Sequence, residues 1–167
     1  ANFDDLDPLT NDLNVQVTVL KAGRPIPADA SLVIIPGSKS TRSDLQFLKD
    51  QGWDIDLRGH YRRGGHILGI CGGYQMLGTE ISDPEGIEGP TGTAEGLSFL
   101  NVKTIMTPQK ALTKVRAIYA DDKTEIDGYE IHIGETSGPD CRRPFAHIGS
   151  RSEGAQNFDG RIKGTYL

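Results

Sequence analysis

The sequence predicts one α/β domain: a mostly parallel sheet with helices on both faces, extended by antiparallel strands. Three observations carry this. Leu32-Val33-Ile34-Ile35 and Ile67-Leu68-Gly69-Ile70 are short apolar runs bounded by turn residues, the pattern of parallel strands covered on both sides. Helix-periodic stretches follow each of them. After about residue 97 the pattern changes to period-two alternation, which suits antiparallel strands.

The elements follow in order. Val15-Gln16-Val17-Thr18-Val19-Leu20 alternates and reads as a strand. Leu32–Ile35 is the first buried strand, and Pro36-Gly37-Ser38 ends it. A helix is expected from Ser40 or Thr41, with Asp44 at capping-box spacing, Leu45 and Leu48 facing inward, and Gly52 as its stop. Asp54 can cap a second helix that places Leu57 and Tyr61 one turn apart. Arg62 and Arg63 suit its C-terminal end, and Gly64-Gly65 terminates it. His66–Ile70 is the next strand, followed by Cys71-Gly72-Gly73 and a short helix through Gln75 and Leu77. A Gly-rich loop runs from Pro84 to Gly96. Leu100, Val102, Thr104 and Met106 then alternate, as do Val115, Ala117 and Tyr119, and Tyr129, Ile131 and Ile133. Asp159-Gly160, between Asn157-Phe158 and Arg161-Ile162, is a hairpin signal.

Composition narrows the function. The 167 residues make one domain, with no repeat or Pro/Ser linker to divide them. Eighteen Lys plus Arg against 23 Asp plus Glu give a net charge of −5, so there is no basic excess to replace the counterions of a nucleic acid. Charged residues at 25% and hydrophobic ones at 36% fit a globular chain rather than a disordered one. No apolar run approaches the roughly 20 residues of a membrane-spanning helix. The opening Ala1-Asn2-Phe3-Asp4-Asp5 has neither the basic stretch nor the apolar core of a signal peptide. Two cysteines cannot form a disulfide framework, and with the features above they lead us to expect a reducing, cytoplasmic setting. The four His and two Cys are scattered without the short spacings zinc prefers, so no metal site is expected.

The chemistry concentrates in Gly69-Ile70-Cys71-Gly72-Gly73. An apolar strand runs into G-x-C-x-G and then into a helix, the cysteine version of the nucleophile elbow. Small residues at Gly69 and Gly73 permit the sharp turn. The turn lifts the sulfur above the carboxyl end of the sheet, where open α/β sheets bind ligands. A helix N-terminus behind it favours thiolate and offers backbone N–H groups to a tetrahedral oxyanion. A small buried hydrophobe is the commoner fate of a lone cysteine, but here strand, glycines and helix agree. Cys141, between Asp140 and Arg142 in a polar loop, has no such context. Pro36-Gly37-Ser38-Lys39-Ser40 follows a buried strand too and emerges at the same sheet edge, so Gly37 or Ser38 can complete an oxyanion hole with the Gly72 N–H. Taken alone it is only a turn, and it lacks the Walker pattern of a phosphate loop.

Leu68-Gly69-Ile70-Cys71-Gly72-Gly73-Tyr74-Gln75-Met76-Leu77-Gly78 resembles the nucleophile segment of class I (triad) glutamine amidotransferases, and more narrowly their cobyric acid synthase branch. Val33 to Thr41 resembles that branch's first loop, and Asp127-Gly128-Tyr129-Glu130-Ile131-His132-Ile133-Gly134 another of its motifs. Asp159-Gly160-Arg161-Ile162-Lys163-Gly164-Thr165-Tyr166-Leu167 resembles its last block, and Asn2-Phe3-Asp4-Asp5-Leu6-Asp7-Pro8-Leu9 the segment leading in. The similarity spans nearly the whole chain in order.

The resemblance implies a three-layer, flavodoxin-like domain that hydrolyses L-glutamine and passes ammonia to an ATP-dependent synthetase domain lying N-terminal in the same polypeptide. There, adenosylcobyrinic acid a,c-diamide is amidated on peripheral carboxylates during cobalamin biosynthesis. By the resemblance Cys71 is the nucleophile, and Gly37, Ser38 and Gly72 are oxyanion donors. Gln75, with Tyr74 and His132, is placed at the substrate. No cofactor is expected in this domain; ATP and Mg²⁺ belong to the synthetase domain. The family's catalytic His follows directly after Gly-Thr-Tyr-Leu, so the base is expected just past Leu167, and residues 1–167 are expected to be an inactive fragment. None of the histidines present matches that position. His60 reads as a solvated helix residue, His66 as the start of a buried strand, and His132 as a packing or hydrogen-bonding residue. His147 lies in a late strand with no visible partner. Two alternatives remain: the same chemistry serving another acceptor, such as cobyrinic acid or a cell-wall precursor, or a non-catalytic glutamine-binding or regulatory module.

Overall fold

The computed structural model describes residues 7–167, with the side chains at positions 7, 8, 109–112 and 131 outside that description. Of the lead-in block Asn2 to Leu9, residues 2–6 lie outside the described part, as does Ala1; a short helix, α1 (Asp7–Thr10), begins it.

Two sheets share one core. The first has strand order β1-β2-β10-β9. Its strands β1 (Leu32–Ile35), β2 (His66–Ile70) and β10 (Ile162–Thr165) run parallel, with Ile35 beside Gly69 and Thr165 beside Ile70. Strand β9 (Ala155–Gln156) joins β10 antiparallel through the expected hairpin, with Gly160 at a φ of 70° in its turn. The second sheet holds six strands. They are β3 (Glu80–Asp83), β4 (Gly92–Glu95), β5 (Lys103–Tyr119), β6 (Glu125–Ser137), β7 (Ala146–Ile148) and β8 (Arg151–Glu153). Here β3 and β5 are parallel and the other pairings antiparallel, with a register shift in the β5–β6 pair between Ile105 and Lys110. The α/β class is the expected one, and the antiparallel part is the larger.

Helices α2 (Thr41–Asp50), α3 (Trp53–Arg62) and α4 (Gly72–Leu77) pack near the parallel sheet. Leu45, Leu48 and Leu57 are buried as their spacing requires. Alternation along β2 turns Ile67 toward this side and Leu68 to the other. On that other side the described residues place Tyr119, Ile126 and Phe145 around an open cleft with Leu68 and Lys163, where a helix layer was expected. The alternating set Leu100, Val102, Thr104 and Met106 is buried, and joins Leu77 and Ile81 in the core.

Several local expectations are corrected. Val15–Leu20 is not a strand: it finds no ladder partner among the described residues, and Val15 and Val19 are exposed. Ser40 and Asp44 do not form a capping box; Asp44 instead accepts a hydrogen bond from Ser38 Oγ at 2.6 Å, and the Thr41 N–H goes to Glu88 at 2.7 Å. Asp54 does not cap α3, which starts after Gly52 at a φ of 73°. The Pro84–Gly96 loop contains β4, paired to β3. Tyr129 is exposed, and the inward-facing parity along β6 is that of Glu130 and His132. The two histidines exchange expected roles. His60 is buried, with Nε2 2.9 Å from the His66 carbonyl oxygen, while the His66 side chain is exposed at the sheet's amino edge.

Candidate active site at the carboxyl end of the parallel strands

Strand β2 hands over to α4 at Cys71, whose φ is 52° and ψ −111°. A positive φ is uncommon outside glycine, costs about 1–3 kcal/mol, and persists only where surroundings over-determine it. They do so here. The Cys71 N–H donates to the Thr165 carbonyl at 2.8 Å, and the Cys71 carbonyl accepts the Gln75 N–H at 3.2 Å. Cys71 is half-buried and outside any disulfide. Close backbone approach explains the flanking glycines. A Cβ on Gly73 would lie 2.0 Å from the Ile35 carbonyl oxygen, and one on Gly69 2.6 Å from that of Gly73.

The two expected loops do meet. A Cβ on Gly72 would lie 2.8 Å from Ser38 N, and one on Gly37 would lie 3.6 Å from Cys71 Cβ. Gly72 opens α4, and the first N–H groups of a helix have no partner within it. Ser38 is fixed from below: its Oγ donates to Asp44 and accepts the Ser40 N–H at 2.9 Å. Cys71, Gly72, Gly37 and Ser38 therefore form one cluster above the ends of β1 and β2.

The other expected site residues are braces around that cluster. Gln75 is buried; its Nε2 donates to the Ile133 carbonyl at 2.8 Å and to Tyr166 Oη at 3.2 Å, and its Oε1 accepts from Thr41 Oγ1 at 3.3 Å. The amide hydrogens are thus committed to β6 and the end of β10, and the amide oxygen to α2. Tyr74 lies in the core, its ring against Gly164 and its hydroxyl 3.8 Å from Cys141 Sγ. Burial raises both this phenol and the Cys141 thiol above their ordinary values. His132 stacks on Tyr166 with ring centroids 3.9 Å apart and planes at 20°. Its Nδ1 lies 2.9 Å from the Gly134 carbonyl and its Nε2 3.5 Å from Glu130, which Arg151 grips with two hydrogen bonds.

Sequence reasoning missed Tyr166 as the centre of this arrangement. Its hydroxyl meets Gln75 and Thr136, and Thr136 meets Thr104 at 2.6 Å. Burial pushes that hydroxyl up to about 12, and neighbouring Cys71 adds to the shift. The one available signal was its place in the Gly-Thr-Tyr-Leu block. Glu153 was missed too, since nothing in Arg151-Ser152-Glu153 marks it as buried. Among the described residues no group of His, Cys, Asp or Glu is arranged to hold a metal ion.

A cysteine at the turn between a parallel strand and a helix, faced by a second loop at the same sheet edge, is set in a fold that solved structures share. A glutamine amidotransferase aligns with a TM-score of 0.56 at 16% identity, over 81% of this chain and 69% of its own. PurLQS from Thermotoga maritima aligns with a TM-score of 0.58 at 17% identity, over 82% and 68%. More narrowly, the chain belongs to the CobB/CobQ-like glutamine amidotransferase domain family, whose model matches residues 1–167. Cobyric acid synthases from Jannaschia sp. and Rhodobacter capsulatus are 62% and 61% identical over the whole chain. The chain spans about 35% of the length of these relatives.

Proposed function

We propose that this chain is the glutaminase domain of a cobyric acid synthase, with Cys71 as its nucleophile. The carrying observation is the Cys71 backbone, held at positive φ between β2 and α4 with the Gly37-Ser38 loop against it. In this reading the thiolate adds to the side-chain carbonyl carbon of L-glutamine. The oxygen takes up the electron pair and is held by N–H groups of Gly72 and of Gly37 or Ser38. Collapse of the adduct expels the amide nitrogen, which leaves as ammonia after protonation by the base. Water then hydrolyses the γ-glutamyl thioester to glutamate and regenerates the thiol. The base is carried by the chain that follows Leu167. Strand β10 lies beside β2 with the Thr165 carbonyl on the Cys71 N–H, so residues after β10 emerge next to the nucleophile.

Gln75 and His132 support the site by holding its walls, and Tyr74 by filling the core beneath. Ammonia passes to an ATP- and Mg²⁺-dependent synthetase domain N-terminal in the same cytoplasmic polypeptide. That domain amidates the corrin carboxylates of adenosylcobyrinic acid a,c-diamide. Whole-chain identity to cobyric acid synthases favours this acceptor over a cell-wall precursor.

The test is ammonia release from L-glutamine by the full-length polypeptide. Wild type is expected to be active, and Cys71→Ala inactive with glutamine yet still able to use added ammonium for amidation. A glutamine-mimicking electrophile is expected to label Cys71 before Cys141. If the wild type, with ATP and acceptor present, consumes no glutamine, the reading fails; equal, slow labelling of both cysteines supports a non-catalytic module instead.

A further inference from the structure

Glu153, the last residue of β8, is a carboxylate only 3% exposed that takes no part in the chemistry above. Burial pushes its proton affinity up, and neighbouring Glu130 adds to this while Arg151 opposes it. A buried acid is costly unless its oxygens are well used. Both are. Oε2 accepts from Thr165 Oγ1 at 2.8 Å, and Oε1 accepts the Tyr166 N–H at 2.7 Å. Thr165 Oγ1 in turn accepts the Leu167 N–H at 3.0 Å. One carboxylate and one hydroxyl therefore occupy the consecutive amides of Tyr166 and Leu167, where β10 has ended and no ladder remains to direct the chain. The same Thr165 offers its carbonyl to the Cys71 N–H at 2.8 Å, and Tyr166 carries the hydroxyl that holds Gln75.

We propose that Glu153 and Thr165 form a positioning clamp for the nucleophile: Glu153 fixes Thr165 and Tyr166, and these fix the backbone of Cys71 and the side chain of Gln75. The clamp acts through geometry and touches no substrate. It rests on the glutaminase reading, because its effect is read in that reaction. Glu153 lies more than 80 residues from Cys71 in the sequence, and Thr165 more than 90. The connection between them exists only because β10 lies between β2 and β9.

The experiment uses the full-length polypeptide with Thr165→Val, Thr165→Ser and Glu153→Gln. Valine keeps the shape of threonine and removes the hydroxyl; serine keeps the hydroxyl. The readouts are kcat and KM for ammonia release from L-glutamine, with ammonium-dependent amidation as the control for an intact protein. Loss of alignment at a reacting atom costs on the order of 10²-fold. Thr165→Val and Glu153→Gln are expected to lower kcat by about that factor with KM little changed. Thr165→Ser is expected to stay within about threefold of wild type, and the Glu153→Gln/Thr165→Val double variant to be no worse than either single one, since both break one unit. The proposal is overturned if Thr165→Val keeps wild-type kcat, or if Thr165→Ser falls as far as Thr165→Val, which would assign the effect to packing. Should Glu153→Gln also lose ammonium-dependent activity through misfolding, the Val–Ser pair decides. An inactive wild type would overturn the glutaminase reading itself, a result separate from any difference among the variants.

Discussion

Gly73→Ala tests how closely the elbow is packed. The added Cβ would lie 2.0 Å from the Ile35 carbonyl oxygen, 2.6 Å from its carbon and 2.9 Å from the Pro36 oxygen. The nearest approach is more than about 1 Å inside van der Waals contact. All three atoms are backbone, at the end of β1, so no side chain can rotate away. Overpacking into a side-chain core costs about 1–3 kcal/mol; against backbone the cost belongs at the upper end, about 3 kcal/mol. For a chain of this size each kcal/mol moves Tm by roughly 2–4 °C, so a fall of about 6–12 °C is expected. Relief requires α4 to move away from β1, which draws Gly72 off Ser38 and opens the cluster around Cys71. The assay is urea and thermal denaturation, beside the rate of Cys71 alkylation by a glutamine-mimicking electrophile. Gly128→Ala is the control, because a Cβ there meets nothing within 4 Å. If Gly73→Ala lies within about 0.5 kcal/mol of wild type, as surface changes do, the account of the elbow is wrong.

Gln75→Leu should cost about 3 kcal/mol in urea denaturation, because it strips partners from the Ile133 carbonyl, Tyr166 Oη and Thr41 Oγ1 in a buried place; a loss under about 1 kcal/mol would remove Gln75 from the bracing network. Glu153 gives a pH signature. Its folded-state proton affinity is raised by burial, so the native chain binds that proton more tightly than the unfolded one. This contribution is fully present at low pH and is lost as pH rises from the ordinary carboxylate range through the raised value. Glu153→Gln, whose amide does not titrate, should flatten that part of a stability–pH curve; an unchanged slope would refute the assignment.

What could be read in the sequence was local. Gly69, Cys71 and Gly73 announce a sharp turn through residue size alone, and Leu45 and Leu48 a buried face through spacing. Asp159-Gly160 announces a hairpin through backbone preference. The failures share a different cause. Ser40 and Asp44 have capping-box spacing, yet Glu88, far away in the chain, takes the Thr41 N–H and Ser38 takes Asp44. His60 reads as solvated because its helix is charged; its ring is buried against Gly65, with Nε2 2.9 Å from the His66 carbonyl oxygen. Val15–Leu20 has strand alternation, but an alternating segment becomes a strand only where another presents a free edge. The site divides the same way. Cys71, Gly72 and the Gly37-Ser38 loop are adjacent to strand ends that apolar runs predict, whereas Tyr166 and Glu153 acquire their roles from pairings the sequence does not display.

That division has a physical basis in α4. Six residues are far too few for a helix to stand on its own nucleation energetics, and the residue before it holds an unfavourable φ. Something outside the segment has to hold both. The Thr165 carbonyl holds the Cys71 N–H, the glycines let β1 approach, and Gln75 ties the helix to Thr41, Ile133 and Tyr166. These ties reach both sheets: Thr165 and Tyr166 lie in and just past β10, and Ile133 lies in β6. The antiparallel sheet is therefore part of what keeps the elbow strained, although it supplies none of the residues placed in the oxyanion cluster. Residues that look structural at this site, Gln75, Tyr166 and Glu153 among them, are in the proposed reading the ones that keep the Cys71 thiol in place. A substitution among them should show first in the geometry of Cys71, before any contact with glutamine is lost.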